Sequence, residues 1–209
     1  MSNYRRIYYN LFSQFYDGFV ALHSSDSRGD LRTFLANNLP VTKAEVVLDL
    51  CTGTASLLPM LHQKVGPGGE VIGVDFSRGM LRVAREKTKP YDNIQLIEAD
   101  ICALPFRENA FDAVTCSYAF YELKGEAQDR VLKEVRRVLK PTRVFLMMEH
   151  DIPENALIRT LFYIRLASMG AKRAISILRH EKSFLESYFP EVKKIVTPNR
   201  RTKIMICTN

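Results

Sequence analysis

The chain has 209 residues, of which 46% are hydrophobic and 25% are charged, and it contains 4 cysteines. These values are typical of one soluble globular domain, and they exclude a disordered chain and a disulfide-rich scaffold. No apolar run is long enough for a transmembrane helix. The net charge is +7, and residues 151–209 carry 11 Lys and Arg against 5 Asp and Glu. The first residues are aromatic with polar interruptions, unlike a signal peptide, so a cytoplasmic location is expected.

The first part of the predicted single domain, residues 1–40, is an N-terminal helical arm. Two helical patterns, Tyr4–His23 and Asp26–Leu39, make up this arm. Aromatic residues recur in the first helix at helical spacing, and they are Tyr8, Phe12, Phe15, Tyr16 and Phe19. This spacing predicts an amphipathic helix that packs on the rest of the domain.

Residues 41–150 form the predicted core, in which short β-branched runs alternate with helical patterns. The predicted strands are Glu45–Leu50, Glu70–Asp75, Ile94–Glu98, Phe111–Ser117 and Thr142–Glu149. The predicted helices are Ala55–Val65, Arg78–Lys87 and Glu126–Leu139. Pro141 is expected to stop the last helix, because proline cannot continue a helix. The alternation indicates βαβ units and a parallel sheet.

Residues 151–209 add two helical patterns and two final strands. The helices are predicted over Asn155–Arg179 and near Lys182–Tyr188, and the strands over Val192–Thr197 and Lys203–Thr208. The predicted fold class is therefore α/β, with a Rossmann-like, doubly wound, mixed sheet of seven strands that ends in an antiparallel hairpin. Ligands bind such sheets beyond the carboxyl ends of the parallel strands.

Acidic residues stand at the ends of the first three predicted strands. Asp49 is followed by the turn glycine Gly53, Asp75 comes 22 residues after that glycine, and Asp100 precedes Ile101. An acid at the position of Asp75 can accept hydrogen bonds from both hydroxyls of a ribose. A dinucleotide dehydrogenase needs further glycines for its pyrophosphate, and this turn has only one. A ligand with adenosine and no phosphate fits better, and S-adenosylmethionine is such a ligand.

Four segments carry a family resemblance, namely VLDLCTGTA, VIGVDFSRGMLRVAREK, IEADICALPFRENAFDAV and LKEVRRVLKP. They resemble the successive motifs of the class I S-adenosylmethionine-dependent methyltransferases. Within that superfamily the chain is most similar to the ubiquinone/menaquinone biosynthesis methyltransferases. The segments FSQFYDGFV and EHDIPENALIRTLFYIRL are also similar to that family.

The resemblance implies that residues 41–150 bind S-adenosylmethionine and that residues 151–209 lie on the substrate side. The cofactor-binding residues that it implies are Asp49, Gly53, Thr54, Asp75, Met80, Asp100, Ile101 and Ser117. Among departures from the family pattern, Ala55 replaces a usual glycine, and Pro141-Thr142-Arg143 replaces Pro-Gly-Gly. Residues 118–123 also replace a sequence with glycine and Arg-Asn that faces the acceptor in the quinone enzymes.

Methyl transfer depends mainly on proximity and alignment, although a general base helps when the acceptor is a phenol or an activated carbon. His150, at the end of the fifth predicted strand, is the first candidate for that base, and Tyr121 and Glu122 are further candidates. Each also has a structural interpretation, as a backbone-bonded histidine or as helix-cap residues. No metal is expected, because the cysteines lack a metal-site spacing. A metalloid site built from Cys51, Cys102 and Cys116 is the alternative to ordinary buried thiols.

We therefore expect a methyltransferase that acts on a small, largely apolar acceptor, quinone-like or another small molecule. The alternatives are a lipid or thiol methyltransferase and a non-catalytic module that binds the cofactor. No nucleic-acid partner is expected, because no motif of nucleic-acid methyltransferases follows the fourth strand. The basic segment 155–180 holds no acidic residue, which suits either a solvated face or peripheral contact with the inner face of the membrane. The oligomeric state does not follow from the sequence.

Overall fold

A computed structural model describes residues 10, 13, 29–123, 126–152, 155–168 and 180–209. Within them the strands are β1 (Val46–Leu50), β2 (Glu70–Asp75), β3 (Ile94–Glu98), β4 (Phe111–Ser117), β5 (Leu139–His150), β6 (Glu191–Val196) and β7 (Thr202–Thr208). They form one sheet in the order β3-β2-β1-β4-β5-β7-β6. Strands β1 to β5 are parallel, whereas β7 runs antiparallel to both β5 and β6. The predicted seven-stranded mixed sheet with its final hairpin is confirmed.

Helices cover both faces of this sheet. They are α1 (Asp30–Asn38), α2 (Leu58–Val65), α3 (Arg78–Thr88), a 3₁₀ turn (Phe120–Glu122), α4 (Ala127–Val138) and α5 (Ala156–Ser168), and residues 180–186 are also helical. Leu35 of α1 and Leu61 of α2 belong to the core on one face. Val135 of α4 and Leu185 belong to the core on the other face. Because strand side chains alternate between the faces, the strands contribute to both cores.

Helix α2 begins three residues later than its pattern predicts. The predicted start at Ala55 is wrong, because Ala55 has a φ of 63°, in the left-handed region that a right-handed helix excludes. The helix begins at Leu58 instead. The residues between β1 and α2 therefore form a turn, and this turn lies at the ligand-binding edge.

Strand β5 begins at Leu139 rather than at the predicted Thr142. Helix α4 has already ended at Val138, so Pro141 lies inside the strand and does not itself stop the helix. Proline cannot donate to a strand ladder and is tolerated where the pairing is irregular. The pairing with β4 shifts register between Leu139 and Val144, and Pro141 falls in that irregular stretch.

The structure describes only part of two predicted helices, one before the sheet and one after β5. Asn10 and Ser13 are helical, and the other residues of the predicted helix Tyr4–His23, with its aromatic positions, lie outside the described residues. Helix α5 occupies the first half of the predicted helix Asn155–Arg179. Residues 169–179 also lie outside the described part, so the helical course of the basic segment 155–180 beyond residue 168 remains a prediction.

Candidate active site

The carboxyl ends of β1 to β4 lie side by side along one edge, because these strands are parallel neighbours in the sheet. Asp75 at the end of β2 lies opposite Glu98 of β3, and Leu50 of β1 lies opposite Cys116 of β4. The edge therefore brings together predicted residues from four strand ends, namely Asp49, Asp75, Asp100 and Ser117. This is the edge at which open parallel sheets bind ligands.

The turn after β1 has left-handed backbone at three residues. Cys51 has a φ of 52°, Gly53 a φ of 56° and Ala55 a φ of 63°. Among the described residues, a Cβ added to Gly53 would meet no atom closer than the Cys51 carbonyl oxygen at 4.0 Å, so none of them crowds this side of the turn. Thr54 is buried behind the turn. The turn therefore offers a bare backbone surface on which a ligand can lie.

Asp75 organises the centre of this edge. Its carboxylate accepts hydrogen bonds from the backbone N–H of Gly53 at 2.9 Å and of Ser77 at 2.8 Å. Burial raises the pKa of Asp75, and these backbone donors oppose the rise. A carboxylate has about four lone-pair sites, so the same group can accept further hydrogen bonds from a ligand.

Asp49 is buried below the edge and has a partner in the protein. The hydroxyl of Thr115 on β4 donates to its carboxylate at 2.7 Å. Burial raises the pKa of Asp49 to about 6, although Thr115 and the positive charge of Arg32 on α1 lower it. Neither partner follows from the sequence motifs, because Thr115 belongs to a neighbouring strand and Arg32 to the helix before the sheet.

The far end of the edge combines Asp100 with apolar residues. Asp100 accepts a hydrogen bond from the Cys102 N–H at 2.9 Å, and Ile101 between them is buried. Met80 is buried in the first turn of α3. This mixture of an acceptor group and apolar surface suits a heteroaromatic ring with an exocyclic amine.

The N-terminal arm contacts the start of α3 through Asn10. The Asn10 Oδ1 accepts hydrogen bonds from the Ser77 hydroxyl at 2.8 Å and from the Gly79 N–H at 2.9 Å. A Cβ on Gly79 would lie 2.6 Å from the Asn10 carbonyl oxygen, so the contact requires glycine there. Since Ser77 also donates to Asp75, the arm reaches the ligand edge.

The three predicted catalytic candidates occupy different surroundings beyond β4 and β5. Tyr121 is half-buried in the 3₁₀ turn, and its phenol donates a hydrogen bond to Glu181. Glu122, in the same turn, is exposed. His150 is also exposed, and its ring centroid lies 4.9 Å from that of Tyr118. Tyr121 is thus the candidate that is held by a buried polar group.

Three charged residues that the sequence motifs did not indicate are buried next to the 3₁₀ turn that holds Tyr121. Glu149 is 3% exposed, Glu181 6% and Lys203 1%. Glu149 of β5 lies directly opposite Lys203 of β7, and Lys203 forms an ion pair with Glu181. Burial and the charge of Glu122 raise the pKa of Glu149 to about 8, against the Phe120 N–H that donates to it at 2.8 Å. The available signal was a lysine directly before the apolar run Ile204–Cys207 of the last predicted strand.

The core of the chain matches a protein family described as a methyltransferase domain, over residues 47–142. These residues are a methyltransferase domain. The demethylmenaquinone methyltransferase of Staphylococcus carnosus (strain TM300) is 39% identical over 138 residues, which cover 66% of this chain and 56% of that protein. The protein of the same name from Staphylococcus aureus (strain JH9) is 33% identical over 157 residues, which cover 75% and 64%. The chain thus spans less than two thirds of the length of either relative.

A solved structure described as a SAM-dependent methyltransferase from Aquifex aeolicus has the same fold. It superposes with a TM-score of 0.65 over 92% of this chain and 97% of that one, at 18% identity. The expected resemblance to methyltransferases is therefore confirmed in sequence and in fold. The family match ends at residue 142, so Glu149, Glu181 and Lys203 lie beyond it in the sequence.

The cysteines near the methyltransferase edge differ in their partners. A hydrogen bond with Cys116 and burial raise the pKa of the Cys51 thiol, whereas the Cys102 thiol donates to the Ala127 carbonyl at 3.8 Å. Among the described residues, no three His, Cys, Asp or Glu side chains group as a metal site. No helix in the described ranges has the length and apolar content needed to cross a membrane.

Proposed function

We propose that this protein transfers the methyl group of S-adenosylmethionine to a small, largely apolar acceptor. The observation that carries the proposal is the set of polar groups at four neighbouring strand ends, within a methyltransferase domain. At its centre Asp75 is positioned by two backbone donors and keeps lone pairs for a ligand.

The residues at this edge suit the parts of S-adenosylmethionine. Asp75 would accept from the ribose hydroxyls, Asp100 from the adenine amine, and Met80 and Ile101 would flank the ring. Gly53 would leave room for the methionine chain, because no described residue comes closer than 4.0 Å to a Cβ placed there. Thr54, Asp49 and Ser117 would complete the contacts. When bound, this cofactor supplies a methyl group on a sulfonium with a good leaving group, so the protein's main task is alignment.

We further propose a quinone-like ring as the acceptor. The relatives at 33–39% identity are named demethylmenaquinone methyltransferases, and this supports a related acceptor class. Residues 118–123 depart from the family pattern, and they lie next to the buried charges around Tyr121. The acceptor is therefore expected to share the ring chemistry of the relatives' substrate while it meets different side chains.

Two measurements test the cofactor and the reaction separately. Calorimetric titration should detect S-adenosylmethionine binding, and mass spectrometry should detect S-adenosylhomocysteine when a reduced naphthoquinone is added. Binding without product for any quinone, lipid or thiol acceptor would favour the non-catalytic module. Product with a lipid or thiol only would overturn the quinone assignment, and absence of cofactor binding would overturn the function itself.

We also propose that α5 places the protein at the inner, cytoplasmic face of the membrane. Leu157, Leu161 and Ile164 share one face of α5 and are 71%, 58% and 60% exposed. Arg159 on the same helix is exposed as well. An apolar helix face with basic neighbours suits an interfacial position, where each basic residue contributes about 1 kcal/mol.

Sedimentation with vesicles tests this placement. The protein should bind vesicles with phosphatidylserine at low salt and leave them at high salt, and Leu161→Glu should abolish binding. Val196→Glu is the matched control, since Val196 is an exposed apolar residue on β6. Equal binding by both variants, or no binding by the unaltered protein at low salt, would contradict the membrane placement.

A further inference from the structure

The half-buried Tyr121 and the buried Glu181 and Lys203 form a hydrogen-bonded group, here called the Tyr–Glu–Lys cluster. The Tyr121 phenol donates to Glu181 Oε1, and the Lys203 ammonium contacts Glu181 Oε2. The ammonium also lies 5.5 Å from the centroid of the Tyr121 ring. The cluster joins residues from the 3₁₀ turn, the helical residues 180–186 and β7.

Burial of the charged groups in this cluster carries a desolvation cost in free energy. Glu181 is 6% exposed and Lys203 is 1% exposed. Replacement of a buried ion pair by apolar residues is often neutral or stabilising, so stability alone is weak grounds for such a pair. Functional sites are where buried charges with defined partners concentrate.

The direction of the hydrogen bonds leaves one group of the cluster available to a ligand. Glu181 Oε2 faces the Lys203 ammonium, which can only donate, and Glu181 Oε1 accepts from the Tyr121 phenol, so both carboxylate oxygens act as acceptors. The single phenol proton of Tyr121 is therefore committed to Glu181. The remaining lone pair on the Tyr121 oxygen can accept a hydrogen bond from another hydroxyl.

Tyr121 lies just beyond the carboxyl end of β4, where the proposed acceptor would bind next to the cofactor. The 3₁₀ turn follows β4 directly, after Tyr118, which has a φ of 55° that redirects the chain at the strand end. Tyr121 remains half-buried rather than enclosed, whereas its two partners are buried. Glu149 stands beside Lys203 across the β5–β7 pair, so the polar groups converge beyond β4 and β5.

We propose that Tyr121 accepts the proton of a ring hydroxyl on the methyl acceptor, and that Glu181 and Lys203 position it and receive that proton in turn. The inference rests on the proposed function and specifies its acceptor as a phenol-like or enol-like ring. As the acceptor O–H bond breaks, its proton goes to the Tyr121 oxygen and the Tyr121 proton goes to Glu181. The freed electron pair makes the acceptor nucleophilic, its new bond to the methyl group forms, and the methyl–sulfur bond breaks with its electrons left on sulfur. One proton is released to solvent for each methyl group transferred, whether oxygen or the conjugated ring carbon is methylated.

A pair of ring compounds tests the hydrogen bond without turnover. With S-adenosylhomocysteine present and oxygen excluded, 1,4-dihydroxynaphthalene should bind at least about fivefold more tightly than 1,4-dimethoxynaphthalene, the value of about one hydrogen bond. Tyr121→Phe should reduce this preference to near one. Tyr188→Phe should keep it, because the Tyr188 phenol bonds to Asp129 outside the cluster. A preference that survives Tyr121→Phe, equal binding of both compounds, or no binding of either overturns the inference.

A second variant separates proton transfer from binding. Glu181→Gln can still accept from Tyr121 but takes up a proton poorly, so the diol affinity should stay within about twofold while the single-turnover rate with the diol falls by about 10²-fold or more. An unchanged rate would overturn the relay. Calorimetric titration of S-adenosylmethionine into the same samples distinguishes failure of the proton relay from failure of the proposed function. Absence of cofactor binding by the unaltered protein would overturn the proposed function instead.

Discussion

The two halves of the ligand edge are built in different ways. In the half at β2 and β3, the acids receive hydrogen bonds from residues close in sequence, as when Ser77 donates to Asp75 and Cys102 donates to Asp100. In the half at β4, β5 and β7, the partners are far apart in sequence, as when Tyr121 meets Glu181. The first half is therefore mostly local, with one contact from the turn after β1, where the Gly53 N–H donates to Asp75 across 22 residues. The second half depends on how residues 151–209 close against the sheet, so under the proposed function its side chains can change while the proposed cofactor contacts are kept.

The largest expected effect concerns Glu149, whose pKa of about 8 compares with 4.5 for an ordinary glutamate. The folded state binds the extra proton between these values, so this residue lowers stability as the pH rises through that window. At pH 9 the free energy of unfolding of Glu149→Gln, measured by urea denaturation, should therefore exceed that of the unaltered protein by about 4–5 kcal/mol. At pH 5 the two free energies should agree within about 1 kcal/mol. A difference that does not depend on pH would contradict the buried, protonated carboxyl.

The next effect concerns the ion pair of the acceptor half. Lys203→Met leaves Glu181 as a buried carboxylate without its ammonium partner, which should cost about 3–5 kcal/mol at pH 7. Addition of Glu181→Gln should recover most of that loss in urea denaturation. Lys182→Met is the control, because Lys182 is 64% exposed and its pair with Glu186 should contribute less than about 1 kcal/mol. Similar losses in both lysine variants would remove the distinction between buried and surface pairs.

The cofactor half should respond in ligand affinity instead. Asp75→Asn keeps one acceptor oxygen for the turn but loses the charge, so S-adenosylmethionine affinity should fall by about 2–3 kcal/mol in calorimetry. Asp92→Asn, an exposed aspartate after α3, should leave the affinity unchanged. Undiminished binding by the Asp75 variant would remove the ribose assignment. An equal loss in Glu181→Gln would show that the two halves are not separable.

The smallest effect is expected at His150. A positioned base contributes about 10²–10⁴-fold, but His150 is exposed and its ring lies tilted against that of Tyr118, outside the Tyr–Glu–Lys cluster. His150→Ala should therefore lower the single-turnover rate by less than about tenfold, and by less than Tyr121→Phe does. A loss of about 100-fold with cofactor affinity unchanged would instead identify His150 as the base.

Much of the cofactor half could be predicted because its signals are local. A short β-branched run that ends in Asp75, or is followed by Asp100, places an acid at a strand end, and Gly53 marks the turn after β1. The predicted bounds of helices and strands were wrong where the backbone conformation departed from the periodicity of the sequence. Ala55 has the periodicity of a helix residue but takes a left-handed φ, and Pro141 lies in an irregular stretch of β5 that no periodicity signals.

The strand segments along the chain and the positions of the edge acids follow from apolar runs and turn residues, which act within a few residues along the chain. The partner of a buried charge follows from no such pattern. Lys203 meets Glu149 because β7 inserts antiparallel beside β5, and it meets Glu181 because residues 180–186 form a helix against that face. Burial of a charge is favourable only when an opposite charge arrives at the same place, and only the packing of distant segments brings it there.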